Sequence, residues 1–182
     1  PRTLHLALSG LRELSLVATP PENRLAIQTT IARFEPALIA AAVRRELASG
    51  GQVFFVHNRV KSIFRFAAWL SRLVPEARVG VGHGQMAERE LSRVMAAFRG
   101  GTLDVLVSTS IVESGLDIPN ANTMIVSRAD AFGLAELYQL RGRIGRPRHR
   151  AHAYLLVPGE DARSDAPRGR NEGLGVYSTP AA

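Results

Sequence analysis

The sequence predicts an α/β fold in which a mainly parallel sheet carries helices on both faces. Short apolar runs such as residues 53–56 recur along the chain without polar interruption, which is typical of strands that are buried on both sides. Amphipathic stretches with apolar residues at helical spacing lie between those runs. Because strands that alternate with helices are joined by crossover connections, these two observations together favour a parallel sheet.

Residues 1–51 are predicted to contain an edge strand and a long helix. β-branched residues are frequent in residues 27–34, which predicts an edge strand. Pro36 suits the first turn of the helix that follows, and Ser49, Gly50 and Gly51 end it. The apolar stripe of this helix consists of Leu38, Ile39, Ala42, Val43 and Leu47. Before these elements, the sequence predicts a helix at 3–11, a strand at 14–18 and a turn at 19–23.

From residue 52 onward, strands and helices alternate regularly. The predicted strands are 53–56, 77–81, 104–109, 123–126 and 151–157. The apolar stripes of two intervening helices are Ile63, Phe66, Ala67, Leu70 and Leu73, and then Leu91, Val94, Met95 and Phe98. A third helix is predicted at 134–143.

Composition indicates a globular domain with a polyanionic partner. The 182 residues are 46% hydrophobic, and no apolar run approaches the roughly 20 residues that span a bilayer, so we expect no membrane partner. The absence of cysteine excludes disulfides and thiolate metal sites. The formal net charge is +7 and Lys61 is the single lysine, so arginine carries nearly all of the positive charge. Such a balance points to nucleic acid or nucleotide.

The strongest local signal is the arginine-rich stretch 139–150. Five arginines fall among these residues without one acidic residue, and Gly142 and Gly145 leave room for close approach of a ligand to the backbone. Gln139, Arg143 and Arg146 are spaced so that they project from one side of a helix or its last turn. A phosphate site is one interpretation. A solvated helix end with cations near its last carbonyls is the other.

Polar residues also follow the predicted strands. His57, Asn58 and Arg59 follow the first buried strand, and Thr109 and Ser110 follow the third. Residues 82–85 follow the second buried strand, and residues 113–117 come shortly after the third. The arginine-rich stretch precedes the last strand. Ligands of parallel sheets collect at the carboxyl ends of the strands, so we expect all of these residues at one edge. Helix N-capping by Thr109 or Ser110 is the alternative.

Several other catalytic patterns are absent from the sequence. Lys61 has no glycine before it, so the chain has no phosphate loop of the form G-x-x-x-x-G-K-[ST]. Gln85 stands where the third glycine of a dinucleotide loop belongs. There is no G-x-S-x-G elbow and no H-E-x-x-H metal motif.

A family resemblance covers the chain almost continuously from residue 1 to about residue 158. Its segments are 1–4, 9–15, 18–21, 51–55, 82–86, 104–107, 113–120 and 139–146. Together they resemble superfamily 2 helicases and translocases, and most closely the second RecA-like motor domain of the bacterial transcription-repair coupling factors. The branch-migration helicase RecG is a sibling that shares the late motifs but fits 9–15 and 82–86 less well.

The resemblance implies two groups of site residues and no metal ligand. The ATP-binding group is Gly115, Asp117, Gln139, Arg143 and Arg146, in which Arg143 and Arg146 are the catalytic arginine fingers. The DNA-binding group is Asn58, His83, Gly84, Gln85, Thr109 and Ser110.

The resemblance also implies what lies beyond these residues. ATP and Mg²⁺ would be held mainly by an upstream RecA-like domain of the same protein, and since the chain opens at Pro1 without a Met we expect a fragment that is inactive alone. The complete protein would be a cytoplasmic bacterial translocase on double-stranded DNA that displaces stalled RNA polymerase and, through other domains, recruits an excision-repair protein. Alternatives are a RecG-like branch-migration domain, a non-catalytic nucleic-acid-binding module and a nucleotide-binding regulatory domain.

The same resemblance divides the chain into three parts. Residues 1–35 are expected to be an inter-domain linker with edge elements, and residues 36–158 a helicase C-terminal RecA-like domain. Residues 159–182 are rich in Gly, Pro, Ser and charged residues without an apolar period, so we expect a disordered tail that lacks the family's translocation motif.

Overall fold

The computed structural model describes residues 27–109, 121–145 and 150–158. Within them the strands are β1 (Gln28–Arg33), β2 (Gln52–Val56), β3 (Val79–Gly82), β4 (Val105–Ser108), β5 (Ala121–Val126) and β6 (His152–Val157). The α-helices are α1 (Pro36–Ala48), α2 (Val60–Leu73), α3 (Glu88–Arg99) and α4 (Leu134–Arg141). A 3₁₀ turn at Ala129–Ala131 precedes α4.

The strands form a single sheet in the order β1-β6-β5-β2-β4-β3. Every neighbouring pair is parallel. β2 is central and buried along its whole length, whereas β1 lies at one edge, where its first residue pairs with His152. The predicted parallel α/β fold and the predicted edge strand are therefore confirmed.

Residues of the central strands alternate between two apolar cores, because successive side chains of a strand point to opposite faces. Phe55 faces the core that α1 and α2 cover, where it packs with Val43 and Leu70. Phe54 faces the core that α3 and α4 cover, together with Phe98. Helices thus cover both faces of the sheet, as the uninterrupted apolar runs predicted.

Several element boundaries differ from the sequence prediction by one or two residues, and two of these differences bear on the site. Strand β3 begins at Val79 rather than at residue 77. Ala77 closes the turn after α2, and the backbone N–H of Arg78 donates to Asp104 at 2.8 Å. The last helix ends at Arg141 rather than at residue 143, and Gly142 follows it. The predicted elements at 3–11, 14–18 and 19–23 and the tail 159–182 lie outside the described residues.

No helix in the described part of the chain has the length and apolar character needed to cross a membrane.

Candidate nucleic-acid and nucleotide site

The carboxyl ends of three adjacent strands bring most of the predicted DNA-binding residues together. Val56 of β2 and Gly82 of β3 both pair with Ser108 of β4, so the residues that follow these three positions lie side by side. The backbone N–H of His57 donates to the Ser108 carbonyl at 2.7 Å and fixes this edge. The prediction that these strand ends gather at one edge is confirmed.

The buried side chain of His57 connects the strand ends at this edge to helix α2. Ser127 donates its hydroxyl hydrogen to the Val56 carbonyl at 3.1 Å, so the Nδ1–H of His57 donates to Ser127 Oγ at 3.1 Å. The His57 Nε2 then accepts from Ser62 Oγ at 2.8 Å. The imidazole stacks on Phe66 with ring centroids 4.5 Å apart. One side chain therefore joins the ends of β2 and β5 to the first turn of α2.

Burial keeps this imidazole neutral. Desolvation, with a smaller contribution from the nearby Arg59 cation, lowers the pKa of His57 from 6.5 to about 4. Asn58, the next residue, is exposed.

The turn after β3 is compact and presents backbone at the surface. The N–H of Met86 donates to the His83 carbonyl at 3.0 Å, and the N–H of Gln85 donates to His83 Nδ1 at 3.3 Å. Gly84 and Gln85 are exposed, whereas the His83 side chain is buried. Because these N–H groups are used within the turn, what the turn offers a phosphate is close approach to the backbone at Gly84, which has no side chain.

Thr109 occupies the predicted edge but does not present its side chain there. It is 3% exposed, and its carbonyl accepts the Ser108 hydroxyl at 2.9 Å. Its proposed neighbour Ser110 lies outside the described residues, as do Gly115, Asp117 and Arg146.

The described residues that follow α4 in the arginine-rich segment lie at the amino end of β5 rather than at the carboxyl ends of the strands, so the prediction of a single shared edge is wrong for them. Gly145 donates its N–H to the carbonyl of Ala121, the first residue of β5, at 3.0 Å. The connecting helix α4 runs back from the carboxyl edge, so residues after it reach the amino ends of the strands. Gly145 has a φ of +113°, a conformation that glycine adopts without the steric cost that other residues have.

Gln139 and Arg143 are the two described residues of this segment that the family resemblance assigns to ATP. Gln139 is exposed on α4, and Arg143 lies two residues beyond the last helical residue and is half-buried. Ile144 between Arg143 and Gly145 is fully buried, which fixes the backbone at this point. The predicted helix end at Arg143 is two residues late, because the helix ends at Arg141. Gly142 keeps right-handed helical angles, and Arg143 donates its N–H to the Leu140 carbonyl at 3.1 Å, three residues back rather than four.

The structure adds two residues that the sequence interpretation did not select. Arg128 follows β5 in the left-handed conformation with a φ of 55°, and it forms an ion pair with Asp130 at 3.2 Å. Phe64 is 59% exposed on α2 beside the β3 turn. Phe64 could have been found from its position outside the α2 apolar stripe, whereas no sequence signal marks Arg128.

The all-parallel six-stranded sheet with helices on both faces has the fold of a RecA-like helicase domain. The chain belongs to the family described as helicase conserved C-terminal domain, which matches residues 36–148. A structure of RecG bound to a three-way DNA junction is similar to it, with a TM-score of 0.66 and 38% identity over 76% of this chain and 19% of the RecG chain.

Two bacterial relatives are more similar in sequence. The transcription-repair-coupling factor of Myxococcus xanthus is 56% identical over 162 residues, which are 89% of this chain and 14% of the relative. That of Escherichia coli K12 is 53% identical over 158 residues, 87% of this chain and 14% of the relative. The chain thus resembles a helicase domain of these factors and spans about one seventh of their length.

Proposed function

We propose that this chain is the second motor domain of an ATP-dependent translocase on double-stranded DNA, which displaces stalled RNA polymerase and couples transcription to nucleotide excision repair. The observation that carries the proposal is the separation of two polar groups across one sheet. The Asn58 and His83–Gln85 group lies at the carboxyl ends of the strands, and the Arg143 group lies at the amino end of β5. A motor needs such a separation, because its grip on DNA and its nucleotide occupy different surfaces.

The described residues fit part of an ATP site. Gln139 and Arg143 offer amide and guanidinium donors to phosphate oxygens. The family resemblance assigns Mg²⁺ and most contacts to ATP to an upstream RecA-like domain of the same protein, and the proposal places them there.

Movement would follow from closing and opening the cleft between the two domains. Arg143 and Arg146 would stabilise the charge that develops on the γ-phosphate oxygens, because a guanidinium offers two parallel donors in a site that excludes water. Closure of the cleft would carry the DNA-binding edge toward the upstream domain, and reopening would return it. Alternating grips on the backbone then become steps along the duplex.

The polymerase and repair roles are supported by the names of the relatives, which are transcription-repair-coupling factors. Their bacterial origin favours action on DNA in the cytoplasm. The proposal assigns contacts with RNA polymerase and with an excision-repair protein to other domains, and the aligned region is 14% of each relative.

Substitution of Arg146 in the complete protein tests the motor assignment. Arg146→Ala is expected to lower the ATPase turnover number by about 10³- to 10⁵-fold, the range for arginine fingers, while ATP binding falls only modestly. Arg146→Lys should restore little, since an ammonium group lacks the planar fork. Phosphate release on duplex DNA and equilibrium nucleotide binding measure the two quantities.

Arg150→Ala is the matched control for this test. Arg150 is exposed, belongs to the same arginine-rich stretch and lies outside the finger motif. Its loss should leave turnover close to that of the wild type. If Arg146 is instead an ordinary helix-end cation, its loss costs roughly 0.3–1 kcal/mol of stability and turnover persists. Wild-type turnover in a folded Arg146→Ala protein therefore contradicts the assignment.

A branch-migration helicase is the second candidate, and the similarity to the RecG structure bound to a three-way junction favours it. The two functions differ in substrate. A coupling factor should displace a stalled RNA polymerase from linear duplex DNA, whereas a branch-migration helicase should unwind a three-way junction and leave the polymerase in place.

A further inference from the structure

Phe64 is an exposed aromatic side chain beside the β3 turn, and neither apolar core accounts for it. Its exposed fraction is 59%, and the only other large exposed apolar residue in the described part of the chain is Leu134 at 42%. The Phe64 ring stands nearly perpendicular to the His83 ring, at 83° and with centroids 5.5 Å apart. A single exposed apolar side chain is common on protein surfaces, so a second observation at the same place is needed to assign it a ligand.

His83 supplies a second observation that points to a ligand. Its Nδ1 accepts the N–H of Gln85, so the ring proton lies on Nε2. Among the described residues, the Nε2 of this 6% exposed side chain has no hydrogen-bond partner. A buried donor without an acceptor is rare in folded proteins. A phosphate oxygen would complete it.

The charges around Phe64 favour a polyanion. Helix α2 carries Lys61, Arg65 and Arg72 and has no acidic residue. Lys61 lies three residues before Phe64, on a neighbouring part of the helix surface, and both Lys61 and Arg65 are exposed. An aromatic ring between cations is the arrangement that nucleic-acid surfaces use, because the ring packs on sugar or base while the cations neutralise phosphates.

We propose that Phe64 is a DNA contact whose ring packs on a deoxyribose of the strand whose phosphate accepts the Nε2–H of His83. The Nε2 atom is covered in this structure, so docking of the strand requires a local side-chain movement that uncovers it. This inference rests on the proposed function, because it requires that the carboxyl edge of the sheet binds DNA. It adds an apolar contact to the backbone and amide groups already assigned there.

The test is fluorescence anisotropy with the complete protein and a mixed-sequence duplex across a salt series. Phe64→Ala is expected to weaken binding by about fivefold. The slope of log affinity against log salt should stay at the wild-type value, because no phosphate-neutralising cation is removed. Lys61→Ala should instead reduce that slope by about one. Leu134→Ala, a similarly exposed apolar residue on the opposite face of the sheet, is the matched control and should change neither quantity.

His83→Phe in the same assay tests the shared nucleotide. This variant keeps an aromatic ring and removes both the Nε2 donor and the Nδ1 acceptor of the Gln85 N–H, so its own loss of affinity reports on both nitrogens. If both side chains contact one nucleotide, the double variant with Phe64→Ala should lose less affinity than the product of the two single losses. Melting temperatures of all variants verify that they are folded, and Phe64→Ala should melt like the wild type because its ring is exposed.

A photoreactive phenylalanine at position 64 identifies the partner directly. Crosslinking to DNA supports the proposal, whereas crosslinking to another segment of the protein instead of DNA assigns Phe64 to a protein interface and overturns it. Wild-type DNA affinity in the Phe64→Ala variant overturns it as well, with the proposed translocase intact. A complete protein that binds no duplex at any salt concentration overturns both.

Discussion

His57 makes the stability of this domain depend on pH. Its pKa is lowered from 6.5 in the unfolded chain to about 4 in the folded state, chiefly by burial. Above pH 6.5 the imidazole is neutral in both states. As the pH falls, the unfolded chain takes up a proton that the folded state excludes, so the free energy of unfolding decreases. The expected decrease is about 2 kcal/mol between pH 7 and pH 5, measured by urea unfolding.

His57→Gln isolates this contribution because it removes the titrating group. The variant should lose most of the decrease between pH 7 and pH 5. The pKa of His152 is also lowered, by burial and by the cations of Arg45 and Arg150, so His152→Gln is the matched comparison. His152 is less buried, and its substitution should remove less of the decrease. A His57→Gln protein with the wild-type pH dependence would show that the imidazole is already protonated or not buried.

Residue types and strand ends could be predicted here, but side-chain orientation could not. His57 and Thr109 were both predicted to follow buried strands, and both do. Both side chains are buried rather than presented at the surface. His57 is held inward because its ring nitrogens form hydrogen bonds with the Ser62 and Ser127 hydroxyls. The roles of Asn58, Gln139 and Arg143 rest on family resemblance, and they stay predictions.

Between elements, a buried carboxylate joins α1 to β5. Thr123 of β5 donates its hydroxyl to Glu46 Oε2 at 2.6 Å, and both side chains are buried. A Cβ at Gly51 would clash with Glu46 Oε1, so a larger residue where the chain enters β2 would force this carboxylate to move. Helical spacing places Glu46 on the buried face, three residues after Val43 and seven after Ile39. The sequence interpretation assigned that stripe to apolar residues alone and therefore missed Glu46.

Thr123→Val tests this connection because valine keeps the shape and removes the donor. The free energy of unfolding should decrease by roughly 1–3 kcal/mol, since a buried carboxylate loses a hydrogen bond. Thr123→Ser keeps the hydroxyl and should recover most of the loss. Thr102→Val is the control on the surface, where an exposed threonine donates to the Ala97 carbonyl at 2.9 Å. Equal stability of Thr123→Val and wild type in urea would contradict a stabilising role for this contact.

At the scale of the whole molecule, apolar periodicity predicted the parallel sheet and its two covered faces. It could not predict that the polar residues divide between the carboxyl ends and the amino ends of the strands. The reason is geometric. A helix that follows a strand returns the chain to the opposite edge, so the length of α4 decides where Arg143 lies. The sequence prediction overestimated that helix by two residues and treated every strand connection as a carboxyl-edge loop.

The last prediction concerns this chain as a separate protein. Two apolar cores on one sheet should let it fold, which a cooperative urea transition would show. It should hydrolyse no ATP, because its sequence contains no G-x-x-x-x-G-K-[ST] loop to hold the phosphates. Phosphate release is measured with and without duplex DNA, and the complete protein on the same DNA is the positive control. Turnover that stays proportional to the concentration of the purified chain would contradict the assignment of this domain as one half of a motor.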